Sequence, residues 1–239
     1  CLNRQNPQCW AGPKIESGLV MNRLFPLLIP ALVVVLPLAA EERMKDSATA
    51  EVATKALAAK DPAEQRNALK RLKNHAFRRS KAPEREFVLF AIGMLQSRLG
   101  EGSQAVDSLA KLEKEWPQSP YLEEAQVILA EEALRHRKFP EAEGRLRRVL
   151  ASELPVEMKR QAQELLLWTL VEQDKAPEGQ DILDSLYPLN QGEVPTERGL
   201  VAMYEVAVAR NLKDQAEAFR SDYLKLYKEG PLRLRITLN

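Results

Sequence analysis

Residues 98–120 read RLGEGSQAVDSLAKLEKEWPQSP: a glycine turn, an amphipathic run and a proline stop. Within it Ala105, Leu109 and Leu112 stand at i, i+4 and i+7, the spacing that gathers apolar side chains on one face of an α-helix. The same signature returns every 37 residues. A column of small residues reads Ala68, Ala105, Ala142, Gly179 and Ala216. Four positions further on come Leu72, Leu109, Leu146 and Leu183, then Arg220 with Phe219 as its nearest substitute. Three further again come His75, Leu112, Val149, Leu186 and Tyr223, and twelve before the small column lie Ala56, Gly93, Ala130, Leu167 and Tyr204. Small residues and leucines sharing one period mark a repeat rather than a coincidence.

Each period holds two helical segments. FVLFAIGMLQSRL supplies the first in the best copy and AVDSLAKLEKEW the second. Prolines 62, 83, 117, 120, 140, 155, 177 and 195 fall at the inferred boundaries, and Asp61-Pro62 and Ser119-Pro120 read as a capping residue followed by proline at the first helical position. Helix formers dominate and glycine numbers only 10, so the fold class is all-α. A helix pair cannot bury its apolar stripe alone; successive pairs must stack into one continuous core. The expected architecture is an α-solenoid of about five helix-turn-helix repeats between residues 49 and 230.

Here the chain resembles the tetratricopeptide repeat family. Residues 86–119 carry the resemblance best, with Gly93 at the close approach of the two helices, Gly100 near the turn, Ala105, Leu109 and Leu112 in the seam, and Pro117 at the end. Residues 123–155 follow, with Ala130, Ala142, Leu146, Val149 and Pro155. Leu89, Gln126 and Gln163 stand where the family has a first-helix aromatic, and the period is 37 rather than 34. The resemblance implies a right-handed superhelix whose first helices line a concave groove for a peptide or protein domain. It places Phe87, Phe90, Met94 and Arg98 on the groove wall from the second copy, Glu131 and Arg135 from the third, Trp168 and Glu172 from the fourth, and Glu205 from the fifth. Trp168 has two readings: a groove anchor, or a core residue within LLLWTL.

Ahead of the repeats, MNRLFPLLIPALVVVLPLAAEERMKDS opens at Met21 with Arg23, an uncharged apolar stretch over 24–40, and Ala39-Ala40 before Glu41. That layout is a secretory signal peptide over 21–40, or an uncleaved anchor, with residues 1–20 as upstream read-through or disordered chain. Both cysteines, Cys1 and Cys9, precede it. The expectation is therefore an exported, periplasmic repeat domain over 41–230 with a tail over 231–239, or an inner-membrane-anchored form of it.

Catalytic residue types are sparse. The two histidines, His75 and His136, have no second His or Cys at metal-ligand spacing, and GEGS at 100–103 lacks the Lys-Ser/Thr ending of a phosphate loop. No enzyme activity, metal or cofactor is expected. With 35 basic and 34 acidic residues the net charge is +1, which provides no global field toward nucleic acid. A local basic patch, Arg66, Lys70, Arg71, Lys73, Arg78 and Arg79, is either a solvated helix face or a surface for an acidic protein or anionic lipid; a second runs from Arg135 to Arg148. PLRLRITLN (231–239) alternates apolar with basic and reads as an added strand or a frayed terminus. Together these features predict a protein-binding scaffold of the bacterial envelope. Its alternatives are a membrane-tethered chaperone subunit of an export machine and a helical accessory domain of a cell-wall lytic enzyme.

Overall fold

The computed structural model describes residues 48–76, 82–187 and 194–237; the leader over 21–40, the segment before it, and Arg78 and Arg79 lie outside these. Eleven α-helices and no strand occur among the described residues. They form five pairs: α1 (Ala48–Ala58) with α2 (Pro62–Arg71, continued by a π-helical turn, Leu72–Ala76); α3 (Ala82–Arg98) with α4 (Gly102–Glu115); α5 (Leu122–Arg135) with α6 (Phe139–Leu150); α7 (Val156–Val171) with α8 (Gln180–Leu186, led in by a 3-10 turn, Ala176–Gly179); and α9 (Glu197–Ala209) with α10 (Lys213–Leu226). A short α11 (Arg233–Thr237) packs on α9 and α10. First helices pack on first helices along the stack, and each second helix from α4 onward also meets the next first helix, the arrangement of an α-solenoid.

The sequence columns are the seams of this stack. Leu72, Leu109, Leu146, Leu183 and Phe219 have no exposed surface, and Ala105 and Ala142 beside them have none either. Gly93 is where α3 meets α4: a Cβ there would come within 2.5 Å of Leu109 Cδ2. Asp61 caps α2 as expected, accepting from Ala63 N at 3.0 Å with Pro62 at the first position. Ser119 does not cap α5; it is buried outside the helix, its Oγ accepting from Tyr121 N at 3.2 Å, because the helix starts only at Leu122.

Within four of the pairs one turn geometry repeats. Gly100, Arg137, Asp174 and Asn211 all have positive φ, between 57° and 77°. Around them the amides of Glu101, Lys138, Lys175 and Leu212 each donate 2.8 Å bonds five residues back, to the carbonyls of Gln96, Ala133, Leu170 and Ala207. This is the Schellman motif, which satisfies the last carbonyls of the first helix while reversing the chain. Those turn residues are 37 apart, as are the starts of the second helical segments at 102, 139, 176 and 213. First helices start less regularly, at 82, 122, 156 and 197, since the links between pairs differ in length.

The core divides at α5. Ala125, Ile128 and Leu129 join an N-terminal cluster with Phe87, Phe90 and Leu72, while Val127, Ala130 and Leu134 join a C-terminal one with Leu146, Trp168 and Phe219. The helix contributes one face to each.

Candidate functional site

The first helices carry the candidate site on the face turned away from their second helices. Its positions recur with the repeat: 87, 124, 161 and 198 form one row, 94, 131, 168 and 205 a second, 98, 135 and 172 a third. The residues in these rows differ greatly in chemistry along the stack.

At the N-terminal end the face is closed. Phe87, Phe90 and Met94 have no exposed surface, which corrects their expected place on an open groove wall. Phe90 stacks on Tyr121 with ring centroids 5.0 Å apart, Phe87 meets the same ring at 5.4 Å, and α1 packs along α3. The physical reason stands in the sequence: residues 87–95, FVLFAIGML, contain no polar side chain, and a helix apolar all round must be covered all round. Arg98, at the end of this helix, is partly exposed and donates from Nη1 to Leu57 O at 2.5 Å. Its charge faces Glu124, a buried carboxylate whose Oε1 has no hydrogen-bond partner. Burial pushes the Glu124 carboxyl up to about 8, with Arg98 opposing.

From α5 to α9 the same face is polar, and the other expected residues do converge there. Glu131 is half-buried and hydrogen-bonded to Gln161; burial pushes its carboxyl up to about 7, opposed by Arg135 and Arg198. Arg135 pairs with Glu132, which also accepts from Ser97 Oγ at 2.7 Å. Arg198 lies within electrostatic reach of Glu131, Arg135, Glu172 and Glu197. Trp168 sits at the border between the core and this face. It packs in the C-terminal core and is 9% exposed, yet its ring lies beneath two guanidinium groups, Arg235 at 4.7 Å and Arg198 at 5.7 Å.

Arg235 comes from the tail, which corrects its reading as a strand or frayed end. Residues 233–237 form α11 and Ile236 is fully buried. Arg235 Nε and Nη2 donate to Glu205 Oε1 and Oε2 at 2.7 and 2.9 Å, and Nη1 donates to Glu172 Oε1 at 2.5 Å. That fork is the geometry in which a guanidinium holds a carboxylate most firmly. Burial raises the Glu205 carboxyl, and Arg235 pulls it back. Glu197 fixes the approach of the tail, accepting from Leu232 N at 3.0 Å and from Tyr223 OH at 2.6 Å.

Three members of the site were missing from the sequence expectation: Gln161, Arg198 and Arg235. The first two share the row of Phe87 and Glu124, and Arg235 falls 37 residues after Arg198, so the repeat itself was the signal that locates them. Of the basic patch, Arg66, Lys70, Arg71 and Lys73 are exposed on α2 and its π turn, and Lys73 lies 3.5 Å from Glu101. In the second basic cluster Arg145 pairs with Glu113 and Glu141, and Arg147 with Glu143. No described helix is long and apolar enough to cross a membrane.

Stacked helix pairs with one recurrent turn, and a shared face formed by the first helices, define a tetratricopeptide-like helical-repeat fold. Solved structures carry the same fold. A "MamA RS-1 ArsTM double mutant" superposes with a TM-score of 0.56 at 18% identity, over 77% of this chain and 94% of its own. A putative kinesin light chain of Podosopora anserina, with nearly identical TPR-like repeats, gives 0.56 at 16% identity, over 78% and 97%. PilF of Pseudomonas aeruginosa gives 0.51 at 12% identity, over 84% and 99%. No family model matches the sequence, and no curated protein matches it.

Proposed function

We propose that this chain is a non-catalytic protein-binding scaffold of the bacterial envelope, which takes a peptide or protein domain on the groove face of α5, α7 and α9. Folds of this class generally bind protein or peptide partners, which supports a scaffold in outline. The observation that carries the groove assignment is the polar ladder from Glu131 through Arg198 and Trp168 to Glu172 and Glu205. Three successive first helices contribute it at equivalent positions, where a solenoid without a partner needs only solvated surface. Export is supported by the charged, apolar and small-residue segments in order over 21–40.

Two measurements test this function. Expression of residues 21–239 in a Gram-negative host, with fractionation and intact mass, should yield a periplasmic species beginning at Glu41. A full-length species that stays in the membrane after alkaline wash would instead favour the tethered chaperone. A photo-crosslinking residue at Glu131 should capture a discrete partner, whereas the same residue at Lys111, on the outer second helix α4, should not. Adducts from Lys111 alone would sink the groove assignment.

A further inference from the structure

The tail helix α11 is held in an unusual way for an element of five residues. An isolated helix of that length does not form in water, so its helicity depends on docking. The docking rests on a few contacts: Arg235 in the fork of Glu205 with Glu172 and Trp168 beside it, Ile236 buried, and Leu232 N on Glu197. Leu234, in the same helix, is 67% exposed. Arg235 also stands one repeat after Arg198, so α11 occupies the station at which a further first helix would stack on α9 and α10. First helices in the other repeats run from 11 to 17 residues, and α11 therefore covers only part of the surface that station offers.

We propose that the cradle formed by Trp168, Glu172 and Glu205 is an arginine-reading site for a partner's helical segment carrying arginine followed directly by an aliphatic residue, and that Arg235-Ile236 fills it intramolecularly until such a segment displaces them. This rests on the groove reading above and names the partner's chemistry. Two carboxylates from different repeats converge on one cation, so the cradle is built for positive charge. Its bidentate geometry and the aromatic face select guanidinium over ammonium, because lysine has no planar fork and stacks less well. A longer helix gains what α11 does not reach: the rest of the α9 surface and, further along the ladder, Arg198 and Glu131. Displacement then exchanges like for like at the cradle and adds contact beyond it.

The test uses the full chain and, as probe, a labelled peptide of residues 231–239, PLRLRITLN, followed by fluorescence anisotropy. In wild-type protein the resident tail competes, which lowers apparent affinity by the fraction of cradles already filled. Arg235→Ala should therefore bind the probe about tenfold more tightly than wild type. Replacing the probe's arginine at the 235 position with lysine, or adding Glu205→Gln to the protein, should remove about tenfold or more of that affinity. An Arg235→Ala protein that melts cooperatively yet binds no better than wild type overturns the proposal, as does binding indifferent to lysine. Should Arg235→Ala fail to fold, hydrogen exchange on wild-type protein decides: saturating probe must speed exchange of amides 233–237, and unchanged protection overturns it. Concentration-dependent dimers that exchange tails would also overturn it, in favour of a second copy as the occupant. Crosslinking at Glu131 with no probe binding would leave the groove function standing and remove the cradle alone.

Discussion

Helices α3 and α7 hold equivalent positions two repeats apart, and they solve burial in opposite ways. The face that carries Phe87, Phe90, Met94 and Arg98 in α3 carries Gln161, Glu164, Trp168 and Glu172 in α7. Both are largely covered. In α3 the cover is hydrocarbon from α1 and the ring of Tyr121. In α7 it is polar: Glu164 accepts from Thr196 N and Oγ1 at 3.0 and 2.6 Å, and Arg235 lies over Trp168. One end of the face is thus sealed by hydrocarbon, while the other is closed by hydrogen-bonded and charged groups. The same helical geometry yields an apolar or a polar face according to which side chains the repeat places there.

The sharpest way to break this contrast is to remove bulk at the sealed end. Phe90→Ala should cost about 3–5 kcal/mol in chemical denaturation, the range for a buried aromatic with no room to relax. A loss near zero would show the N-terminal face to be open after all. At the other end Arg235→Ala should cost about 2 kcal/mol, since it deletes charge-assisted bonds and leaves the half-buried Glu205 without its partner. Both substitutions can be followed by the same urea titration, and a larger effect at Arg235 than at Phe90 would reverse the comparison. Glycines sharpen it further. Gly93→Ala should destabilise by about 1 kcal/mol net, because the new methyl meets Leu109 while the helix gains propensity.

Glu124 gives the sealed end a pH dependence of its own. Its carboxyl is raised to about 8 in the folded protein from an ordinary value of 4.5. The native state therefore holds a proton that the unfolded chain releases, and the stability this contributes is full below pH 4.5 and lost as pH rises through about 8. Glu124→Gln should flatten that decline and leave the variant about 1 kcal/mol more stable than wild type at pH 8.5 in thermal melts, relieving an unpaired buried carboxylate oxygen. The smallest effects belong to the outer helices and turns. Gly144→Ala, where a Cβ meets nothing within 4 Å, and Asp174→Gly, which relieves a φ of 59°, should each stabilise by about 0.5 kcal/mol in a melt.

The fold was legible because it rests on volume. Small residues and leucines at fixed spacing identify helix contacts whatever surrounds them, and Ala105, Leu109, Ala142 and Leu146 are all buried where the columns placed them. The site was legible only in part, because facing a groove and facing a neighbour look alike at helical spacing. Glu131, Arg135, Trp168, Glu172 and Glu205, which the family resemblance places on the groove, fall in the recurrent rows of that face. Phe87 and Phe90 lie in the core because their unbroken apolar run outweighs the groove position that the family resemblance implies. Arg235 was hidden by composition: a short alternating stretch reads as a strand until Glu205 and Glu172, some 30 and 63 residues earlier, supply a reason to coil. Three of the four turns were equally hidden, since Arg137, Asp174 and Asn211 take a conformation that glycine usually announces.

Those turns have a further consequence. Gly100, Arg137, Asp174 and Asn211 reverse the chain through the same backbone bonds, so the reversal itself does not draw on the side chains that line the face. A segment of 37 residues taken between two of them carries one whole seam with its reversal intact. Such a segment is a cassette. Duplication or excision at those four points would lengthen or shorten the molecule in whole steps, leaving every remaining junction in register and changing only the length of the shared face.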